Sequence, residues 1–203
     1  GVQVAQGFIR DSSGNFSTFD APNAGTAPTQ GTYVQALNDR GYAAGWAQDE
    51  NNVYRAFLRA PDGTMTSIDL PGQNNADNEG SLALCINDRG VVGGNFYDVN
   101  DVSHGFLRRL DGHVTIIDLA GAAFQTVNGV NSHGVATGTY RDSDGASHVF
   151  VRNKIGELTT IDAPDAAQIS GRGTFAEGIN KDGIVAGYYW DYQDVRHGFI
   201  WTP

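Results

Sequence analysis

Ser81-Leu82-Ala83-Leu84-Cys85-Ile86-Asn87-Asp88-Arg89-Gly90-Val91-Val92-Gly93-Gly94-Asn95-Phe96-Tyr97 is the stretch on which the fold turns. Residues 81–86 form a short apolar-rich run, ended by Asn87 and Gly90. Asn first and Gly fourth is a type I turn signature that continues into a Gly bulge and closes a hairpin. Residues 91–97 then read as a second strand, residues 98–103 as a polar loop, and residues 104–108 as a third strand. After an Asp111-Gly112 turn, residues 114–118 alternate as a fourth strand. Nothing in this stretch sustains a helical period.

The same signals recur on both sides. Asn38, Asn87, Asn131 and Asn180 each open an Asn-x-x-Gly turn, and Phe57, Phe106, Phe150 and Phe199 lie 19 residues beyond them. Asp20, Asp69, Asp118 and Asp162 lie 12 residues beyond Phe8, Phe57, Phe106 and Phe150. The period is 49, then 44, then 49. Four short antiparallel strands, here called a to d, in units of this length predict propeller blades. A β-solenoid is the main alternative, with coils that are usually shorter. Two residues before each Asn stand Ala36, Cys85, Gly129 and Gly178, small enough for a crowded innermost strand.

The expected fold is all-β, a small propeller of four blades. The chain opens with strands c and d, continues through three full units and ends with a, b and c, one strand more than four blades need. It reads as a single domain over residues 1–203, with units at residues 1–20 joined to 174–203, 21–69, 70–118 and 119–162. Closure is expected between the N-terminal strand d and the last a-b-c set. The spare N-terminal strand c then offers a homodimer contact, as an unpaired edge does. The spacing from each Asp to the next Asn is 18, 18, 13 and 18, so length varies only between strand d and the next strand a. In a propeller those connections share a face with the b–c loops, and that face or the channel mouth is where a ligand is expected.

Composition narrows the function classes. There are 13 basic and 23 acidic residues, a net charge of −10. The absence of a basic patch argues against nucleic acid and against an anionic membrane surface. No apolar run approaches the roughly 18 residues of a spanning helix, so no membrane insertion is expected. No signal peptide is visible. Cys85 is the one cysteine, which gives no disulfide and no metal spacing, and it reads as a small buried side chain.

Ile86-Asn87-Asp88-Arg89-Gly90, His104-Gly105-Phe106 and Ile68-Asp69-Leu70-Pro71-Gly72 together resemble the HAF-type extracellular repeat family of bacteria. The pattern recurs in every unit, although the third element reads Arg55-Ala56-Phe57, His104-Gly105-Phe106, His148-Val149-Phe150 and His197-Gly198-Phe199. The resemblance implies a repeated all-β fold and export to an extracellular or periplasmic location. It implies no reaction.

The candidate chemistry lies in a few clusters. His104, His148 and His197 follow Asp98, Asp142 and Asp191 by 6 residues, a spacing at which the pairs meet across the b–c hairpin. An Asp–His pair serves acid–base catalysis. In the first unit, however, Asp49 faces Arg55, which shuttles no protons. A cross-strand brace is therefore the favoured reading, with the carboxylates raising the His pKa. His113 and His133 fall in turns. Asp142-Ser143-Asp144-Gly145 looks like part of a calcium loop, and Asp142 and Asp144 are the metal candidates, but calcium takes 6–8 oxygens. Turn formation explains the segment better, and no cofactor is expected.

Tyr188-Tyr189-Trp190-Asp191-Tyr192 breaks the symmetry. Aromatic faces beside carboxylates and amides suit a carbohydrate or another small polar ligand. Trp190, Asp191 and Tyr192 lead the candidates, with Tyr97 at the matching place in the second unit. At least two of the four aromatics are expected to be packing. Three residues before each Asn stand Gln35, Leu84, Asn128 and Glu177, a mostly polar ring for the channel. Gln35 and Asn128 are candidate ligand contacts, and Glu177 with His197 is the candidate catalytic pair. The favoured function is extracellular carbohydrate binding. The rivals are a lyase or hydrolase at the channel mouth and a structural or adhesive module assembling through the spare strand.

Overall fold

The computed structural model describes residues 4–203. It is all-β, and no helix occurs among the described residues. A hairpin of β1 (Gly7–Arg10) and β2 (Phe16–Phe19) comes first. The first full unit is β3 (Gly31–Leu37), β4 (Ala43–Gln48), β5 (Tyr54–Arg59) and β6 (Met65–Ser67). The second is β7 (Ser81–Ile86), β8 (Val92–Tyr97), β9 (Ser103–Arg108) and β10 (Val114–Ile117). The third is β11 (Phe124–Val130), β12 (Ala136–Arg141), β13 (Ser147–Arg152) and β14 (Leu158–Ile161). The last is β15 (Thr174–Ile179), β16 (Val185–Trp190) and β17 (Arg196–Trp201). Every pairing within these sheets is antiparallel between consecutive strands, which is the propeller pattern.

The repeated asparagine does two jobs. Its Oδ1 accepts from the backbone N–H groups two and four residues on, as at Asn87, where Arg89 N and Val91 N donate at 3.0 and 2.9 Å. Its Nδ2 donates to the backbone carbonyl of the same Asn in the next unit. Asn38 reaches Asn87 at 2.9 Å, Asn87 reaches Asn131 at 2.9 Å, and Asn131 reaches Asn180 at 3.1 Å. One side chain thus closes a turn and ties it to its neighbour, and the glycine that ends each turn has positive φ, as Gly90 does at 77°.

Each strand a carries a β-bulge. The register shifts between Val34 and Ala36, Ala83 and Cys85, Val127 and Gly129, and Ala176 and Gly178. The extra residues are Gln35, Leu84, Asn128 and Glu177, so the ring expected from the sequence is a ring of bulge residues. A bulge re-aims a strand and leaves one residue unpaired. It also brings a strand-a carbonyl against the facing strand: a Cβ at Gly45, Gly94, Gly138 or Gly187 would strike the carbonyl oxygen of Tyr33, Leu82, Thr126 or Phe175. This close approach explains the repeated glycine.

The core lies between units. Ala44, Leu58 and Ile68 of the first unit pack on Val92 and Phe106 of the second. Leu107 and Ile117 pack on Val127 and Phe150, and Val151 and Ile161 pack on Val185 and Phe199. The buried phenylalanines Phe57, Phe106 and Phe150 are among the largest enclosed side chains.

The expected closure is not formed. β2 pairs with β1, from Gly7 opposite Phe19 to Arg10 opposite Phe16, and β15–β17 stay a three-stranded sheet. β1 is itself a c-type strand, and it lies one short turn from β2. Closing that small loop costs less entropy than closing one through the whole chain.

Candidate functional site

On the face of the b–c loops the same Asp device appears four times. Asp98 Oδ1 accepts from Asn100 N and Val102 N at 2.8 and 2.9 Å, and Asp142 and Asp191 do the same in their loops. The second oxygen holds the basic side chain of strand c. Asp49 Oδ2 holds Arg55 Nε at 3.0 Å, Asp142 Oδ2 holds His148 Nε2 at 3.1 Å, and Asp191 Oδ2 holds His197 Nε2 at 2.9 Å. His104 Nε2 lies 3.3 Å from Asp98 Oδ2.

A second carboxylate lies on the far side of two of these rings, a role that the sequence pattern did not suggest. His104 Nδ1 meets Asp118 at 2.6 Å and His148 Nδ1 meets Asp162 at 2.9 Å. The signal was present: the Asp that ends strand d lies 14 residues after the His. Burial lowers the pKa of both histidines, but the hydrogen bonds and charges of the two carboxylates outweigh it and raise the net value. The carboxylates respond in kind. Asp98 is lowered to about 2, first by the Val102 N–H, and Asp142 is lowered first by His148.

With Oδ1 capping its loop and Oδ2 on His148, Asp142 has both oxygens committed, and its segment is a turn. Among the described residues no group of three or more His, Cys, Asp or Glu side chains converges as a metal set.

The last unit differs. His197 has Asp191 on Nε2, and among the described residues no strand-d aspartate meets its ring. Its ring stacks on Tyr189 with centroids 5.0 Å apart. Beside this pair opens a cleft of about 410 Å³, lined by Pro164, Asp165, Tyr189, Asp191, Tyr192 and His197, with Gln193 at its edge. Tyr192 is 65% exposed, and its hydroxyl accepts from Gln168 N at 3.3 Å. The Asp191 carboxyl is held below its usual range, first by the Val195 N–H and then by His197.

The other candidates lie elsewhere. Trp190 is on the opposite face of β16, with the Arg172 guanidinium 4.8 Å above its ring. Tyr188 stacks on Phe175 at 4.9 Å and carries Arg196 on its ring. Two of the four aromatics are therefore packing, and Tyr189 rather than Trp190 shares the cleft with Tyr192. Tyr97 is half-buried at the end of β8, its hydroxyl pKa raised by burial first and by Glu79 and Asp101 next. Asn128 Oδ1 accepts from Thr139 N at 3.1 Å across its bulge. Gln35 lines a separate hollow with Gln6, Phe8 and Trp46. Glu177 is exposed on β15 and is not among the cleft residues that surround His197.

The fold and this face define a propeller-type repeat protein. No protein-family model and no curated protein matches the sequence. Among solved structures the chain is similar to one titled "Streptogramin B lyase structure", a β-propeller, with a TM-score of 0.53 and 16% identity. The match covers 96% of this chain and 61% of that one, so the chain spans about three fifths of its length. The likeness is one of fold.

Proposed function

We propose that this protein is a binding module that takes a carbohydrate in the cleft of its last unit. The observation that carries the reading is the pairing of two tyrosines, Tyr189 and Tyr192, with the carboxylates of Asp165 and Asp191 around about 410 Å³ of open space. Small-molecule sites run to about 300–1,000 Å³, and they combine aromatic walls with a few placed polar groups. Sugar C–H faces stack on the rings while hydroxyls bond the carboxylates and Gln193. The extracellular setting is part of the same proposal and rests on the HAF-type resemblance. Calorimetric titration with a panel of oligosaccharides tests it. Tyr192→Ala, at an exposed position, is expected to abolish binding, whereas Trp190→Ala, beneath Arg172 on the other face, is expected to retain it. Binding lost in Trp190→Ala and kept in Tyr192→Ala overturns the reading.

A second reading is favoured by one feature of the same cleft. His197 lines the cleft, held through Nε2 by Asp191 and stacked on Tyr189, the arrangement of an oriented general base. The lyase title of the structural neighbour is in keeping with such an enzyme. Turnover of a bound sugar that is lost in His197→Gln with binding intact would select it over simple binding.

A further inference from the structure

The first unit departs from the second and third at one point, and a cleft opens there. In the second and third units the b–c loop aspartate and the aspartate that ends strand d enclose one imidazole. His104 lies between Asp98 and Asp118, and His148 lies between Asp142 and Asp162. The first unit has both carboxylates, Asp49 and Asp69, at the same repeat positions. Its strand-c residue is Arg55, and the longer side chain leaves the arrangement. Arg55 Nε stays on Asp49 Oδ2 at 3.0 Å, but Nη1 turns to Asn75 Oδ1 at 2.8 Å, in the loop that leads to the second unit. Among the described residues no basic side chain is paired with Asp69.

Asp49, Arg55 and Asp69 border a cleft of about 590 Å³, with residues 23–26 opposite and Glu50 and Ser67 at its edges. That size is within the range of small-molecule sites. Its walls are fixed. Gln30 is buried, its Nε2 donates to Asn52 Oδ1 at 2.9 Å, and its Oε1 accepts from Ala27 N at 3.0 Å. Gly25 N donates to Gln48 O at 2.9 Å. The loop entering the unit and the b–c loop are thus tied to each other, and a ligand need not order them. Asp49, also buried, has Oδ1 on Asn51 N and Val53 N and Oδ2 on Arg55, which sets the plane of the guanidinium.

What the cleft can take follows from what it leaves unpaired. Asp69 and Glu50 are exposed carboxylates, whereas the guanidinium of Arg55 is already balanced by Asp49. The excess charge is negative, so a cation is drawn in and an anion is repelled. The repeat itself shows how the strand-d carboxylate is used, since Asp118 and Asp162 meet an imidazole nitrogen at 2.6 and 2.9 Å. A ligand ammonium makes the same charge-assisted bond at Asp69. Among the described residues no aromatic side chain lines this cleft, so an alkyl amine has little to lay its methylenes against. A hydroxylated frame instead meets Ser67, Asn51 and the guanidinium edge of Arg55. We propose that this cleft is a second ligand site, separate from that of the last unit, and that it takes an amino sugar, with the ammonium on Asp69 and the hydroxyls on Ser67, Asn51 and Arg55.

The test is calorimetric titration of the full chain with glucosamine, glucose, N-acetylglucosamine and putrescine, at a slightly acidic pH that keeps the amines protonated. Glucosamine is expected to bind, with the three others weaker by about 10- to 100-fold, the worth of a hydrogen bond to a charged group. Asp69→Asn, at an exposed position, removes the charge and is expected to weaken glucosamine by the same factor. Arg55→His places an imidazole between Asp49 and Asp69, as in the second and third units, and is expected to abolish binding with the melting temperature kept. Any of four results overturns the proposal. They are no binding of glucosamine, N-acetylglucosamine binding as tightly, putrescine binding as tightly, or glucosamine affinity unchanged in Asp69→Asn. The second would show that the amine is not read, and the third that charge alone is.

Discussion

If the asparagine ladder joins the units, an asparagine inside it must count for more than the one at its end. Asn87 and Asn180 close identical turns, each through Oδ1 and two backbone N–H groups. They differ in what Nδ2 does, since Asn87 donates to Asn131 O at 2.9 Å and Asn180 makes no such bond in this arrangement. Replacing Asn by Asp keeps the Oδ1 acceptor and removes the donor, so the turn is held constant while the tie between units is cut. At Asn87, which is buried, the change costs the net worth of one hydrogen bond, about 0.5–1.5 kcal/mol, plus the desolvation of an orphaned carbonyl, about 1–3 kcal/mol. The new carboxylate also faces that carbonyl. A loss of about 2–4 kcal/mol is expected. At Asn180, which is exposed, Asn→Asp should stay within about 0.5 kcal/mol. Urea unfolding followed by tryptophan fluorescence, at a concentration that keeps the chain monomeric, measures both. Equal losses for Asn87→Asp and Asn180→Asp would refute the inter-unit role and leave the asparagine a turn former alone.

Further outcomes follow from the same geometry. In NMR titrations His104 and His148 should have midpoints above the free value, and His148→Gln should remove a stabilisation that depends on pH. A folded pKa raised above the unfolded value of about 6.5 contributes fully below that value and fades as pH rises through the folded one. The stability gap between wild type and His148→Gln should therefore shrink above about pH 6.5, and a gap that widens with rising pH would contradict the two-carboxylate clamp. Gly94→Ala should cost more than the usual single substitution, about 4 kcal/mol or more, because the new methyl meets the Leu82 carbonyl at a bulge and neither strand can retreat. Gly112→Ala, where a Cβ meets nothing within 4 Å but φ is 89°, isolates the cost of backbone strain alone and should be milder in the same urea unfolding measurement.

Much of this fold was legible because the repeat presents each signal four times. Asn87 with Gly90 marked the a–b turn, and the constant distance from Asn to Phe placed strand c. The Asp–His pairs were legible for the same reason, since a six-residue span across a short loop leaves little freedom. The bulge was not, because a bulge adds one residue without changing composition, and Gln35, Leu84, Asn128 and Glu177 share no side-chain type. The second aspartate on His104 was missed because its 14-residue separation crosses a whole hairpin. Trp190 and Tyr189 are neighbours on β16 and so lie on opposite faces, and the sequence does not say which of the two faces opens on the cleft. Closure failed for an energetic reason that the pattern cannot express. Both β1 and β17 satisfy the rule for strand c, and the nearer one in sequence has the smaller loop to close.

The symmetry itself directs attention to where function lies. Residues present in all units, such as the ladder asparagines and the glycines opposite the bulges, are each accounted for by a contact that the scaffold needs. What the scaffold does not need is the difference between units. Arg55 replaces a histidine and cannot give up a proton, so the first unit keeps the brace and loses any acid–base capacity. His104 and His148 have both nitrogens engaged and are braces as well. His197 stacks on Tyr189 as His148 stacks on Tyr140, but it has an open cleft at its side.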